Sequence, residues 1–271
     1  MTWQAIARKD FEDSVRSYWL WGLTMIFVAL VSLVAGAVGY LLADVTSSNV
    51  LGILNGLLIT TLVPLISLVI GFSAITGEYE SGSLKLLMAL PHSRSDVIVG
   101  KLVGRSAVMA VAIALGFFLP AIVIAATVPF QIGQYFGYVL FVILLAVMFV
   151  SIAVGISAFA RTQWRAIALS LGFYFLFVTF WVLFQTVGFT AILLLAQDWP
   201  NWMPLTLQET ERTLRLINPT GAFKILTQAF LNGSLYDAAN RSLHISASLM
   251  VLLWIVAPPV LGLLRFEQRD L

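Results

Sequence analysis

Residues 77–101 read GEYESGSLKLLMALPHSRSDVIVGK, a charged stretch that carries a short apolar run and lies between two apolar segments of membrane-spanning length. The whole chain is 60% hydrophobic and only 10% charged, with a mean hydropathy of +0.97, far outside the range of a water-soluble domain. The charged break is therefore a connection at one face of a membrane, and the runs on either side are helices that cross it.

Within the break, Gly77 and Gly82 bracket Glu78, Tyr79, Glu80 and Ser81, so the backbone can leave the preceding span and turn sharply. Ser81 or Ser83 can cap a new helix, with Glu78 and Glu80 near its positive end. Leu84, Leu86, Leu87, Met88 and Leu90 follow before Pro91 stops it, which predicts about two turns with an apolar side. Ser93 and Asp96 then have the spacing of a capping box that starts the helix into the next span, with Lys101 and Arg105 one turn apart at headgroup level. Periodicity leaves two readings of the short helix. It is an interfacial cover for the bundle, or a knob for a groove on another protein.

Working outward, a helical crossing needs about 20 apolar residues, so the chain has room for about six crossings and no large soluble domain. Apolar runs fall at 19–42, 50–75, 103–128, 135–160, 166–187 and 243–264, predicting one all-α membrane domain over 1–271. The fifth run continues apolar to 197, so that span is tilted or bends back near Gly188. Pro64 is placed to kink the second. Residues 1–18 form an amphipathic interfacial helix, with Trp3, Ile6, Ala7, Phe11, Val15 and Tyr18 opposite Gln4, Arg8, Lys9, Glu12, Asp13 and Arg16. Its i, i+4 pairs are Arg8–Glu12, Lys9–Asp13 and Glu12–Arg16. Acidic residues interrupt its basic region, unlike a cleaved leader.

Lys and Arg cluster at one side of the spans, at Arg8, Lys9, Arg16, Lys85, Arg94, Lys101, Arg105, Arg161, Arg165, Arg265 and Arg269, which predicts cytoplasmic termini and a cytoplasmic 77–101 segment. Arg212, Arg215, Lys224 and Arg241 lie in the long outer stretch 188–242. There, 205–217 mixes apolar and charged residues, Asn218-Pro219-Thr220-Gly221 is a turn cluster and 222–231 is apolar again. Two short helices on the outer surface and a mobile loop both fit.

Several chemistries are excluded. No cysteine is present, so thiolate and disulfide chemistry is absent. A formal charge of +2 gives no nucleic-acid footprint. The spans lack paired carboxylates, and neither His92, in the inner loop beside Pro91, nor His244, at the edge of the sixth span, has a set of convergent metal ligands around it in the sequence. No Gly-x4-Gly-Lys-Ser/Thr phosphate loop occurs; the one Gly-Lys pair, Gly100-Lys101, is followed by Leu102. The chain is read as a non-enzyme without a cofactor of its own.

The order of elements resembles the permease subunits of ABC-2-type transporters, of the type V ABC exporter kind. The resemblance rests on the amphipathic helix ending in Arg16-Ser17-Tyr18-Trp19 and on Gly77-Glu78 followed by Glu80-Ser81-Gly82-Ser83-Leu84-Lys85-Leu86-Leu87. Leu90-Pro91 with Ser93-Arg94, Gly100-Lys101, and Phe266 with Arg269-Asp270-Leu271 complete it, and it covers essentially the whole chain. It implies that 80–90 is a coupling helix seated in a separate ABC ATPase, present in two copies, which binds ATP and magnesium. It also implies a second permease subunit, forming a homodimer among the lipids of the cytoplasmic membrane, with the second and fifth spans lining the transport path.

On that basis the ATPase-coupling interface comprises Glu78, Glu80, Ser81, Gly82, Leu84, Lys85, Leu87, Met88, Pro91 and Arg94. Candidate path residues are Asn55, Thr60, Thr61 and Ser67 in the second span and Ser170, Tyr174, Thr179 and Gln185 in the fifth. Hydroxyls in spans also bond back to their own helices, so each has a purely structural reading. Such a lining suits an amphiphilic or apolar cargo better than a small inorganic ion. The expected function is the permease subunit of an ABC exporter; the alternative is a non-transporting anchor that docks a cytoplasmic regulator through 77–101.

Overall fold

The computed structural model describes residues 3–42, 44–83, 93–196 and 207–268. The expected apolar turns at 84–90 lie outside them. Among the described residues all regular structure is helical, and five stretches are long and apolar enough to cross a membrane: Leu20–Leu41, Ser47–Glu80, Arg94–Thr127, Ile132–Phe159 and Arg241–Glu267.

The chain opens with surface helix α1 (Trp3–Val15) and the first crossing, α2 (Tyr18–Leu41). The second crossing is composite: α3 (Ser47–Leu54), a π segment (Asn55–Ile59), α4 (Thr60–Gly71) and a short α5 (Thr76–Glu80). The third joins α6 (Arg94–Gly116) to α7 (Phe118–Thr127), and the fourth is the unbroken α8 (Ile132–Phe159). Next come α9 (Gln163–Tyr174), a π segment (Phe175–Thr179) and α10 (Trp181–Ala196). Two short helices, α11 (Leu207–Ile217) and α12 (Pro219–Leu231), lead to the last crossing, α13 (Arg241–Glu267).

The fifth apolar run departs from expectation. It is divided, so no single helix there has full crossing length, and α10 runs through Gly188 without bending back. The break lies earlier, where Phe180 N donates to the carbonyl of Phe175 at 2.7 Å in π register. There Phe173 stacks on Phe177 and Phe177 on Trp181, at centroid separations of 4.5 and 5.3 Å. Trp254 of α13 meets the first two edge-on, so aromatic packing supports the altered turn. The stretch expected to hold either two short helices or a mobile loop holds two short helices among its described residues. Asn218 caps α12 by accepting from Gly221 N at 3.0 Å, with Pro219 at the first helical position.

Helix α8 is the centre of the bundle, with Val142, Leu145, Ala146, Met148, Phe149 and Val150 all fully buried. It can be approached closely because small residues face its neighbours. A Cβ on Gly71 of α4 would collide with Ala153, one on Gly155 with the backbone of Pro258, and one on Gly262 would lie 2.7 Å from the Gly155 carbonyl oxygen. The α8–α13 contact also resolves a backbone problem. Pro259 has no N–H for the carbonyl of Ile255, and Ser151 Oγ donates to that carbonyl from α8.

Gly155→Ala is therefore expected to lower stability by about 1–3 kcal/mol through overpacking. Gly172→Ala, where a Cβ meets nothing within 4 Å, is expected to be neutral or stabilising. Thermal unfolding of the two purified variants in detergent checks the contrast in sign.

Candidate functional site

The start of α6 presents Gly100 and Gly104 on one face, and α1 lies in the groove between them. A Cβ on Gly100 would fall 2.7 Å from Ile6 Cβ, and one on Gly104 2.7 Å from the carbonyl oxygen of Ala7. This seating carries Asp10, whose side chain is only 5% exposed, inward onto the third crossing. Lys101 Nζ meets Asp10 Oδ1 at 2.7 Å and Glu78 Oε1 at 2.6 Å, and Arg105 Nε lies 3.4 Å from Asp10 Oδ2. Arg105 Nη1 also donates to the carbonyl of Ile70, near the negative end of α4. Two cations thus face two carboxylates in a site where an unpaired charge would be costly. Of the surface pairs expected on α1, Arg8–Glu12 closes at 2.9 Å, while Lys9–Asp13 and Glu12–Arg16 do not. Its carboxylate partner raises the Arg8 pKa.

The same network anchors the stretch from Thr76 to Ser83. Ile75 N and Thr76 N donate to Ser157 Oγ of α8 at 3.0 and 3.2 Å. Glu80 Oε1 accepts from Gln163 N at 2.8 Å, in the first turn of α9. Ser81 and Ser83 turn their hydroxyls back onto the Glu78 carbonyl at 3.3 and 3.4 Å, and Gly82 takes a left-handed φ of +75° that a side chain would resist. Beyond the undescribed residues the expected capping box is present. Asp96 N donates to Ser93 Oγ and Ser93 N to Asp96 Oδ2, both at 3.1 Å.

Of the residues expected at the coupling interface, Glu80 and Ser81 are exposed and Gly82 is partly so. Glu78 is committed to Lys101. Arg94 Nη1 donates to the carbonyl of Phe266 and the guanidinium sits 5.1 Å above that ring, tying the start of α6 to the end of α13. Leu84, Lys85, Leu87, Met88 and Pro91 lie outside the described residues.

In the half of the bundle away from α1, a half-open cleft of about 660 Å³ separates the second crossing from the divided fifth run. Both walls carry their π segment at this level: Gly56, Thr60 and Thr61 line one side, and Phe177, Trp181 and Gln185 the other. Helices α11 and α12 add Glu211, Arg215, Lys224 and Gln228. Asn218 Nδ2 bonds the Phe177 carbonyl at 2.7 Å and so joins α12 to the π segment. Burial, and then the charge of Arg215, push the Lys224 amine below its ordinary range.

Thr60, Thr61 and Gln185 are the expected path residues that line this cleft. Ser170 and Tyr174 instead border a smaller apolar crevice of about 190 Å³, with Leu65, Leu68 and Phe72 across from them. Asn55 is buried: its Nδ2 donates to Thr227 Oγ1 at 3.0 Å and its Oδ1 accepts from Tyr138 OH at 3.3 Å. Ser67 is fully buried, and Thr179 is exposed outside both cavities. His244 is buried, with Nδ1 accepting from Tyr236 N at 2.9 Å, and His92 lies outside the described residues. Sequence reading missed Asp10, Trp181 and the placement of Arg215, Lys224 and Gln228. Only the Gly100–Gly104 spacing, which seats Asp10, was an available signal.

A family model described as ABC-2 family transporter protein matches residues 4–271. A Pseudomonas aeruginosa protein named "Probable ABC transporter permease protein NosY" is 30% identical to this chain over 292 aligned positions, covering 98% of each. A protein of the same name from Stutzerimonas stutzeri is 31% identical over 288 positions, covering 97% of each.

The buried ion network makes a separate prediction. Lys101→Met strands Glu78 and leaves Asp10 with Arg105 alone, and is expected to cost about 3–5 kcal/mol, while adding Asp10→Asn recovers part of the loss. Thermal unfolding of the single and double variants measures the coupling, and a wild-type midpoint for Lys101→Met would show that the network contributes nothing.

Proposed function

The chain belongs to the ABC-2 transporter family, as a multi-pass membrane permease, and we propose that it is the membrane half of an exporter driven by a separate ATP-hydrolysing subunit. In this reading two copies of the chain pair in the cytoplasmic membrane with both termini cytoplasmic. Two ATPase subunits, which hold the ATP and magnesium, grip the 84–90 turns of each copy. The absence of a phosphate loop from the sequence and the Lys and Arg bias of the α1 end support this arrangement.

The observation that carries the mechanism is the hydrogen bond from Gln163 N to Glu80. Through it, the segment adjoining the ATPase-gripped turns holds the first turn of α9, and α9 continues through a π segment into the wall of the cleft. Displacement of 84–90 on ATP binding then tilts α9 against the second crossing. The Asp10–Lys101–Glu78 network keeps the base of the lever joined to α1 and α6. Closure of the ATPase pair changes the relative tilt of the membrane halves and drives cargo outward through the space between the second crossing and the divided fifth run.

Leu84→Asp with Leu87→Asp puts two carboxylates into an apolar docking contact and is expected to weaken ATPase association by about tenfold or more. The membrane-stimulated part of its ATP turnover should disappear. Co-purification and turnover in proteoliposomes measure both, and unaltered values for the pair would overturn the coupling assignment.

A further inference from the structure

The cleft between the second crossing and the divided fifth run is lined by donors that lack acceptors. Trp181 Nε1 and Gln185 Nε2, one turn apart on α10, are both buried and have no hydrogen-bond partner among the described residues. Across from them, the half-buried Lys224 amine takes part in no ion pair among the described residues. The neighbouring Arg215 is already matched with Glu211 at 2.8 Å, so the lining holds two cations against one carboxylate. A buried donor without an acceptor costs free energy, and a buried ammonium costs more. Two such donors, on Trp181 and Gln185, and the half-buried Lys224 amine belong to residues lining one space, which is short of negative oxygen atoms.

The remaining lining narrows the ligand. Phe177, Val178 and Ile225 give the cleft an apolar wall beside these donors, and its half-open mouth suits a molecule with a polar head and an apolar tail. We propose that the cleft binds the anionic head of an amphiphile, with a phosphate or carboxylate group received by Lys224, Trp181 and Gln185 and the tail lying along Phe177, Val178 and Ile225. This names a cargo class for the exporter reading and rests on that reading for its transport role. Binding itself requires neither nucleotide nor ATPase.

The test uses the purified full chain in phosphatidylcholine nanodiscs, without ATPase. Binding of dioctanoyl phosphatidylglycerol is compared with that of dioctanoyl phosphatidylcholine by native mass spectrometry. The anionic lipid is expected to bind preferentially, Lys224→Met to weaken it by about tenfold and Lys224→Arg to restore it, as loss of a charge-assisted bond implies. Trp181→Phe preserves a ring in the stack while removing one donor, and is expected to weaken binding several-fold. It decides the question if Lys224→Met does not fold.

Equal binding of the two lipids, or undiminished binding to every folded variant among Lys224→Met and Trp181→Phe, overturns the site. Inorganic phosphate separates the sources of the anion. Failure to displace the lipid at equal concentration supports the amphiphile, and displacement as strong as by unlabelled lipid overturns the tail assignment in favour of a free anion. Loss of ATPase association in the Leu84 and Leu87 variant would leave these binding results unchanged, so the two readings fail independently.

Discussion

A charge taken out of water inside a membrane protein must be met by another charge, and around Lys101 that requirement joins three parts of the chain. Asp10 comes from the surface helix, Lys101 from the third crossing and Glu78 from the end of the second, and each is held where the others need it. The side chains of Lys101 and Asp10 are 7% and 5% exposed, so water does little to screen them or to replace a lost partner. The close packing of α1 on Gly100 and Gly104 is what makes the contact reachable. A surface helix that floated at the headgroups would leave Lys101 with one carboxylate instead of two.

Backbone groups obey the same rule, and the breaks in the helices show how. Pro64 leaves the carbonyl of Thr60 without its helical donor, and the helix widens into a π segment just before it, at Asn55–Ile59. Pro259 frees the carbonyl of Ile255, which Ser151 answers. The carbonyl of Phe117, at the α6–α7 junction, receives Tyr135 OH at 2.6 Å, and that of Phe177 receives Asn218 Nδ2. The carbonyls of Ile255, Phe117 and Phe177 therefore each have a partner on a neighbouring element, which is the condition for non-ideal backbone at membrane depth. These partners also fix the neighbours: Asn218 holds α12 against the fifth run because a π turn exposes a carbonyl there.

Much of this was legible in the sequence where the signal is local. The capping box at Ser93 and Asp96, the Asn218-Pro219 helix start and the five continuous crossings follow from spacing and apolar length. The division of the fifth run was hidden because every residue around Phe175–Phe180 is apolar or a single Thr, and hydropathy has no sensitivity to hydrogen-bond register. Asp10 was passed over among the many charges of an amphipathic helix, although the Gly-x3-Gly of residues 100–104 marked the groove that buries it. Lys224 looked like an ordinary loop cation, and only the folding of α12 onto the cleft makes it half-buried. Of the polar path candidates, hydroxyl chemistry alone could not separate Thr61, which lines the cleft, from Ser67, which faces the core.

The two ends of the molecule meet in the divided fifth run. Its first turn is held by Glu80, and its π segment is held by Asn218 and the aromatic column reaching Trp254. A continuous helix pushed at one end would translate as a rod and carry the cleft wall with it. A helix with a wider turn between two fixed points can instead absorb the push as a change of angle at Phe175–Thr179, beside Thr60 and its own π segment on the opposing wall. On the exporter reading the width of the cleft then responds to tilt at the α1 end, while the donors contributed by α12 stay fixed to the core through Asn55 and Thr227.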